Sequence, residues 1–139
     1  NALVREVLAL YEHAGARPQF VADRELPPVA GDATQLRQVM HNLLQNAEDA
    51  LQGLAEPLIR LSTRSDGRFA ELRLTDNGNG FPPNILARAF EPYVTTKSKG
   101  TGLGLAIVRK IVDEHHGSIG ISNLQPHGAE VKIRLPLVA

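Results

Sequence analysis

A glycine-rich stretch carries the strongest chemical signal in this chain. It runs from Lys97 to Leu105, reads Lys-Ser-Lys-Gly-Thr-Gly-Leu-Gly-Leu, and leads directly into a periodic apolar segment that ends at His115. Glycine has no β-carbon, so successive backbone N–H groups can converge on one point, and the start of the following helix adds positive partial charge. The pattern therefore indicates a site for an anion such as a polyphosphate. Taken alone, the stretch equally fits a glycine-rich turn before an ordinary helix.

Two asparagines lie on a second segment that could contribute to such a site. Apolar residues recur at helical spacing from Leu36 to Leu51, and Asp32 is placed to cap the helix that they predict. At about 100° per residue, Asn46 falls at the edge of the apolar stripe, with Asn42 one turn before it. The two amides share a half-buried border of the helix. From this position they can either bind a ligand or bond a neighbouring loop.

The third polar group follows a predicted strand. Between Arg68 and Thr75 apolar residues alternate with polar ones, and the alternation places Asp76 on the apolar side. A carboxylate that faces the core needs a hydrogen-bond donor. The glycines Gly78 and Gly80 would let a ligand come close enough to supply that donor. The alternative is a plain Asp-Asn-Gly turn.

The remaining patterns predict the elements that position these residues. The predicted elements are a helix over about residues 2–13, a strand near 19–22, the long helix after Asp32, strands at 57–64 and 68–75 joined across 65–67, a closing helix ended by Gly117, and strands at 118–123 and 129–135 joined across 125–128. Residues 81–100 form a long connection, which is typical of a functional lid. Together the elements predict an α+β fold, a two-layer α/β sandwich in which a mixed sheet of about five strands is covered on one face by about three helices.

Composition narrows the class of protein. The 139 residues fit one domain, and 15 basic residues balance 15 acidic ones without an extended charge run. We therefore expect neither a nucleic-acid partner nor membrane contact by this domain. The chain has no cysteine, which excludes disulfides and thiolate metal sites. No apolar run approaches the roughly 20 residues that cross a bilayer.

Four stretches in this order resemble the catalytic, ATP-binding domain of bacterial sensor histidine kinases. They are the helix with its two asparagines, the Asp-x-Gly-x-Gly turn from Asp76, the Phe-Glu-Pro-Tyr segment from Phe90, and Gly-Thr-Gly-Leu-Gly-Leu from Gly100. The same superfamily, with the Bergerat or GHKL fold, includes the gyrase, Hsp90 and MutL ATPases. The segment from Phe90 to Val108 is most similar to the nitrogen-regulation branch, NtrY or NtrB.

The resemblance implies that ATP and Mg²⁺ are the ligands. Asn46 would ligate Mg²⁺ through its amide oxygen, which suits a hard cation, and Asn42 would lie beside the phosphates. Asp76 would accept the exocyclic amine of adenine, with room for the base at Gly78 and Gly80. The residues implied to wrap or reach the phosphates are Lys97, Lys99, Gly100, Thr101, Gly102, Leu103, Gly104 and Leu105.

Two positions depart from the family pattern. Ala129 follows Gly128 where many members have threonine, so we expect one polar contact near the adenine to be missing or water-mediated. Asp49 lies three residues after Asn46, where some members have a basic residue that contacts the nucleotide. We do not expect that contact here.

The family activity is transfer of the γ-phosphoryl group of ATP to a histidine. None of the five histidines of this chain lies in the acceptor motif that the family phosphorylates, and a surface role is favoured for the pair at the end of the closing helix. The histidines are His13, His41, His115, His116 and His127. We therefore expect residues 1–139 to be a single catalytic domain, a fragment whose acceptor lies on a helical dimerisation domain preceding Asn1.

The expected setting is two-component signalling in the cytoplasm, with a response regulator downstream and a parent protein that could be anchored in the inner membrane. Two alternatives remain open. In ATPases of the superfamily a glutamate one turn before the Mg²⁺-binding asparagine activates water, and here that place holds Asn42, so we expect slow hydrolysis. The other alternative is a regulatory module that binds nucleotide without catalysis.

Overall fold

The computed structural model describes residues 1–9, 18–27, 29–51, 55–78, 80–81, 104–124 and 127–137. The helices are α1 (Ala2–Leu8), α2 (Ala33–Ala50) and α3 (Gly104–Glu114), and the strands are β1 (Gln19–Val21), β2 (Ile59–Ser65), β3 (Phe69–Asp76), β4 (Ser118–Asn123) and β5 (Ala129–Pro136). Each predicted helix and strand is present. The predicted end of the first helix, near residue 13, lies outside the described residues.

The five strands form one mixed sheet in the order β1-β2-β3-β5-β4. β1 runs parallel to β2, and every other neighbouring pair is antiparallel. Because β5 lies between β3 and β4, Asp76 pairs with Ala129, which in turn pairs with Asn123. The ends of these three strands are therefore level at one edge of the molecule.

One face of the sheet packs against the helices to form the core. α2 and its C-cap contribute Val39, Met40, Leu43, Leu44, Ala47 and Leu51, α3 contributes Val108, Ile111 and Val112, and the sheet contributes Ile59, Leu61, Leu74, Val131 and Ile133. Two residues of the predicted stripe behave differently, since Leu36 is half-buried and Ala50 is exposed. Ala50 lies at the same border of the helix as Asn46, and that border faces the candidate site rather than the core.

The boundaries of the β2–β3 hairpin are shifted from the prediction by one or two residues. Asp66 accepts hydrogen bonds from the backbone N–H groups of Arg68 and Phe69, at 3.0 Å and 2.8 Å, so these donors belong to the turn and β3 starts at Phe69. At the other end, Ile59 pairs with Asp76, which makes the aspartate the last residue of the strand.

The closing helix ends one residue earlier than its glycine suggests. The left-handed residue is His116, with φ of 61°, and Gly117 donates its N–H to the carbonyl oxygen of Val112, which together form a Schellman ending. Gly117 is required for space, because a β-carbon there would lie 2.3 Å from the carbonyl oxygen of Arg134.

His115 has a structural role that the sequence did not indicate. Its Nε2 accepts the backbone N–H of Asp32 at 3.0 Å, and its Nδ1 lies 2.8 Å from the carbonyl oxygen of Ile111. Because a carbonyl oxygen only accepts, Nδ1 carries the proton. His115 therefore joins the end of α3 to the N-cap of α2.

Candidate active site

Asp76 ends β3 with its side chain on the helix-covered side of the sheet, as the alternation predicted. The residue is only 8% exposed, and its Oδ1 accepts the backbone N–H of Gly78 at 2.9 Å. Burial raises the pKa of the Asp76 carboxyl, although backbone hydrogen bonds from Gly78 and Ala129 act in the opposite direction. The ionised carboxylate is therefore incompletely compensated, and a donor from a ligand would stabilise it.

The start of the turn after Asp76 is fixed by the side chain of Asn77. Its Oδ1 accepts the backbone N–H of Leu58 at 2.8 Å, and its Nδ2 donates to the carbonyl oxygen of Glu56 at 2.8 Å. His127 contacts the turn from the other side, where its Nδ1 donates to the carbonyl oxygen of Asn77 at 3.0 Å. These contacts hold the turn against β2 and against the β4–β5 connection.

Gly128 lies directly against the Asp76 main chain. Its φ is 116°, and a β-carbon there would lie 2.4 Å from the carbonyl oxygen of Asp76. The next residue, Ala129, has no side-chain hydroxyl, but its backbone hydrogen bonds to the Asp76 carboxylate. The main chain of β5 therefore supports the aspartate at this position.

The two asparagines of α2 meet the first residue of α3. Asn42 donates from Nδ2 to the carbonyl oxygen of Gly104 at 3.3 Å, and its Oδ1 accepts from Gln38 at 2.9 Å. A β-carbon on Gly104 would lie 3.8 Å from both amide atoms of Asn46. The N-terminus of α3, which carries positive partial charge, therefore lies beside the half-buried Asn46.

The aspartate and the asparagines belong to one side of the molecule. Ala50 follows Asn46 by one turn of α2, which is about 6 Å along the helix axis. A β-carbon on Gly78 would lie 2.8 Å from the carbonyl oxygen of Ala50. The turn after Asp76 thus contacts α2 one turn beyond the asparagine that faces α3, so the two ends of the candidate site are joined through a single helix.

The Asn46 amide and the adjacent start of α3 fit a magnesium ion that is bound together with phosphates. The amide oxygen is a hard ligand, and the adjacent start of α3 favours the phosphate oxygens that would complete the shell. Within the described ranges, no group of three or more histidine, cysteine, aspartate or glutamate side chains could hold a metal by itself. A cation here would accordingly be held through the nucleotide and one amide.

Glu48 is a buried carboxylate near these residues that sequence reasoning did not single out. Its Oε1 is buried and has no hydrogen-bond partner among the described residues, and burial, followed by the charge of Asp49, raises the pKa of the carboxyl. Glu48 lies two residues after Asn46, which is about 200° around the helix. It therefore faces away from Asn46 and is not placed to activate water there.

Some of the predicted site residues lie outside the described residues. These are Lys97, Lys99, Gly100, Thr101, Gly102 and Leu103. The predicted connection at 81–100 is described only at Phe81. Gly104 and Leu105 are described as the first residues of α3, where Leu105 is half-buried and packs against the core.

The order and the spacing of these elements match a known family. Residues 31–139 match the family described as "Histidine kinase-, DNA gyrase B-, and HSP90-like ATPase". The chain belongs to this family. The relatives include the "Putative sensor histidine kinase NtrY-like" of Rickettsia bellii (strain RML369-C), which is 47% identical over 106 residues. That match covers 76% of this chain and 17% of the relative, and it confirms the predicted likeness to the nitrogen-regulation branch.

Solved structures of this ATPase family share the fold. The nucleotide-free catalytic domain of histidine kinase ThkA superposes with a TM-score of 0.86 at 33% identity, covering 98% of this chain and 92% of that one. Full-length ShkA in complex with AMPPNP superposes with a TM-score of 0.83 at 28% identity, covering 99% of this chain and 30% of that one. The fold is therefore that of a histidine-kinase catalytic domain, and family membership implies ATP binding. In the part of the chain that the structure describes, every helix falls short of what crossing a membrane requires.

Sequence reasoning missed the side chains that frame the Asp76 turn in this ATPase domain. Asn77 was visible only as part of an Asp-Asn-Gly turn, and His127 only as a histidine outside the acceptor motif. Asn123, at the end of β4, contacts Phe81 and gave no local signal. The position of Asn123 depends on β5 lying between β3 and β4, and this strand order cannot be predicted from the local sequence pattern.

Proposed function

We propose that this chain binds Mg-ATP between α2, the start of α3 and the turn after Asp76, and that it donates the γ-phosphoryl group to a histidine of a separate dimerisation domain. The observation that carries the proposal is that α2 contacts the start of α3 at Asn42 and Asn46 and the turn after Asp76 at Ala50. An ATP molecule would place its adenine at Asp76 and its phosphates at Asn46 and the α3 N-terminus. The relative ShkA, solved with AMPPNP, supports a nucleotide as the ligand.

Each residue would have a distinct task in this reaction. Asp76 would accept the exocyclic amine of adenine, and Gly78 and Gly80 would leave room for the base. Asn46 would hold Mg²⁺, which when bound neutralises charge on the phosphates and on the transferring group. Asn42 positions the start of α3, and the α3 backbone N–H groups would bind phosphate oxygens. The chain's contribution to phosphoryl transfer is therefore positioning and electrostatic stabilisation.

The proposal of a separate acceptor is supported by the contacts of His115. Both ring nitrogens of His115 are engaged with main-chain groups, and Nδ1 of His127 donates to the Asp76 turn. His115 could therefore accept a phosphoryl group only by losing one of its two bonds. The phosphorylated histidine would then pass its phosphoryl group to a response regulator. We place this domain in the cytoplasm, as part of a sensor protein that could be anchored in the membrane.

Kinase activity is preferred over hydrolysis because of Asn42. Its amide cannot accept a proton near neutral pH, and it is already bonded to Gln38 and Gly104. Residues 1–139 incubated with γ-labelled ATP should therefore turn it over slowly and form no phosphohistidine, while binding a fluorescent ATP analogue saturably. Rapid, saturable hydrolysis would instead identify an ATPase, and binding that is indifferent to Mg²⁺ would identify a regulatory module.

A further inference from the structure

Asn123 forms an unusual pairing with the main chain at the far end of the turn after Asp76. Its Oδ1 accepts the backbone N–H of Phe81 at 2.8 Å, and its Nδ2 donates to the carbonyl oxygen of the same residue at 2.8 Å. A side-chain amide has one donor and one acceptor in this geometry, so it bonds Phe81 as a neighbouring strand would. One side chain therefore fixes both polar groups of the residue that leaves the turn.

The strand register of the sheet places Asn123 level with Asp76, where it can reach Phe81. Asp76, Ala129 and Asn123 form one row across β3, β5 and β4, so the asparagine lies two strand spacings, about 10 Å, from the aspartate. Gly80, with φ of 78°, fits tightly between Asn123 and Gly128. A β-carbon on it would lie 2.7 Å from Asn123 Oδ1 and 2.9 Å from the carbonyl oxygen of Gly128.

The two ends of the turn are held in different ways. At its start, Asn77 bonds the main chain through its side chain, and its N–H also donates to the carbonyl oxygen of Leu58 at 3.2 Å. At Phe81, the contacts that hold the main chain come from Asn123 alone among the described residues. In the described part of the chain, the far end of the turn is therefore held at Phe81 by this one amide.

We infer that Asn123 is a positioning residue for adenine recognition, holding the turn so that the base stacks within reach of the Asp76 carboxylate. This inference rests on the proposed function and extends it to a residue two strands away from the aspartate. Asn123 does not itself contact the base. It acts through Phe81 and Gly80, which border the space that the base would occupy.

Comparing the affinities for ATP and GTP distinguishes a positioning role of Asn123 from a purely stabilising one. Adenine presents an amine to Asp76 where guanine presents a carbonyl oxygen, so a displaced turn should cost ATP more than GTP. The experiment displaces a fluorescent ATP analogue with each nucleotide from the wild type, Asn123→Ala and Asn123→Asp. The aspartate keeps the acceptor for the Phe81 N–H and loses the donor to its carbonyl oxygen. Ser122→Ala, on the same strand and facing the opposite side of the sheet, is the matched control.

We expect Asn123→Ala to bind ATP roughly tenfold more weakly, with GTP binding nearly unchanged and the preference for ATP reduced by the same factor. Asn123→Asp should be intermediate, and Ser122→Ala should match the wild type. A lower melting temperature with equal weakening of ATP and GTP, or no change in either affinity, would overturn the inference.

Asp76→Asn distinguishes this inference from the proposed function. If Asp76→Asn removes the preference for ATP and Asn123→Ala does not, the adenine site stands and the positioning role of Asn123 is refuted. If Asp76→Asn keeps the full preference for ATP, the adenine site is refuted together with the role of Asn123. Loss of preference in both variants supports both.

Discussion

Asn42 donates its side-chain amide to the carbonyl oxygen of Gly104 across 3.3 Å. This bond joins the middle of α2 to the first residue of α3, although 62 positions separate them in the chain. It places the positive end of the α3 dipole beside Asn46. The N-terminus of α3 at Gly104 therefore lies against the asparagine-bearing helix, and this combination suits the phosphates of a nucleotide.

Replacing Gly128 should destabilise the protein, and replacing Gly120 should not. Gly128→Ala would force a residue with φ of 116° to carry a β-carbon 2.4 Å from the carbonyl oxygen of Asp76, at a cost of about 1–3 kcal/mol. Gly120 lies within β4, where nothing is within 4 Å of an added β-carbon. Gly120→Ala should therefore be neutral or stabilise by up to about 1 kcal/mol. Urea unfolding measures both, and equal effects would contradict the packing described around Asp76.

Asp66 should contribute stability that is lost in acid. Hydrogen bonds from the backbone N–H groups of Phe69 and Arg68, and the nearby Arg134, lower the pKa of its carboxyl from 3.8 to about 2. Because the folded protein holds the proton less tightly than the unfolded chain, the contribution is complete above pH 3.8 and disappears as the pH falls toward 2. Asp66→Asn should be less stable than the wild type at neutral pH.

The quantity to measure is the difference in urea midpoint between the wild type and Asp66→Asn. Urea midpoints for the wild type and Asp66→Asn should converge between about pH 4 and pH 2. Asn retains an acceptor for the turn donors and loses only the charge, so the comparison isolates ionisation. A constant difference over this interval would show that the charge of Asp66 contributes nothing.

Nucleotide affinity should depend on the protonation of Asp76. Burial raises the pKa of this carboxyl, so lowering the pH protonates it in the empty site before an exposed aspartate would be protonated. A protonated carboxyl has lost the negative charge that strengthens a hydrogen bond from the adenine amine, and ATP should bind more weakly as the pH falls. Asp76→Asn cannot titrate, so its affinity should follow only the phosphates of ATP. Parallel pH profiles for the two proteins would contradict the assignment of Asp76 to the base.

Local sequence patterns were sufficient for the residues whose positions depend on one element. Alternation along β3 predicted that Asp76 faces the core side, and helix geometry predicted the shared border of Asn42 and Asn46. The N-cap at Asp32 was likewise predicted from its place before the periodic run, and its side chain accepts the N–H of Gln35. In each case the position of the residue follows from the regular repeat of one helix or strand.

The residues that were missed depend on strand order and on contacts between distant elements. Asn123 reaches Phe81 because β5 lies between β3 and β4, and His115 reaches Asp32 across 83 positions. Glu71 is a polar residue of the alternating strand β3, yet it is only 8% exposed because basic residues of its own strand and of the two neighbouring strands surround it. Its ion-pair partners are Arg64, Arg73 and Lys132. Neither periodicity nor composition contains this information.

The ion pairs around Glu71 also show how the face of the sheet opposite the helices is stabilised. Burial would raise the pKa of Glu71, but the hydrogen bond from Arg64 and the charges of Arg64, Lys132 and Arg73 keep it below its ordinary value. A buried carboxylate is tolerated when several donors compensate it. Polar residues of β2, β3 and β5 thus form an ion-pair network on this face of the sheet.

The most direct test of the account is the magnesium dependence of ATP-analogue binding in the wild type, Asn46→Ala and Asp76→Asn. Mg²⁺ should tighten binding to the wild type, and Asn46→Ala should lose roughly tenfold or more of that enhancement while still preferring ATP to GTP. Asp76→Asn should keep the magnesium effect and lose the preference for ATP. If Asn46→Ala responds to Mg²⁺ as the wild type does, or if Asp76→Asn retains full selectivity, Asn46 and Asp76 are not the metal and adenine ends of one nucleotide site.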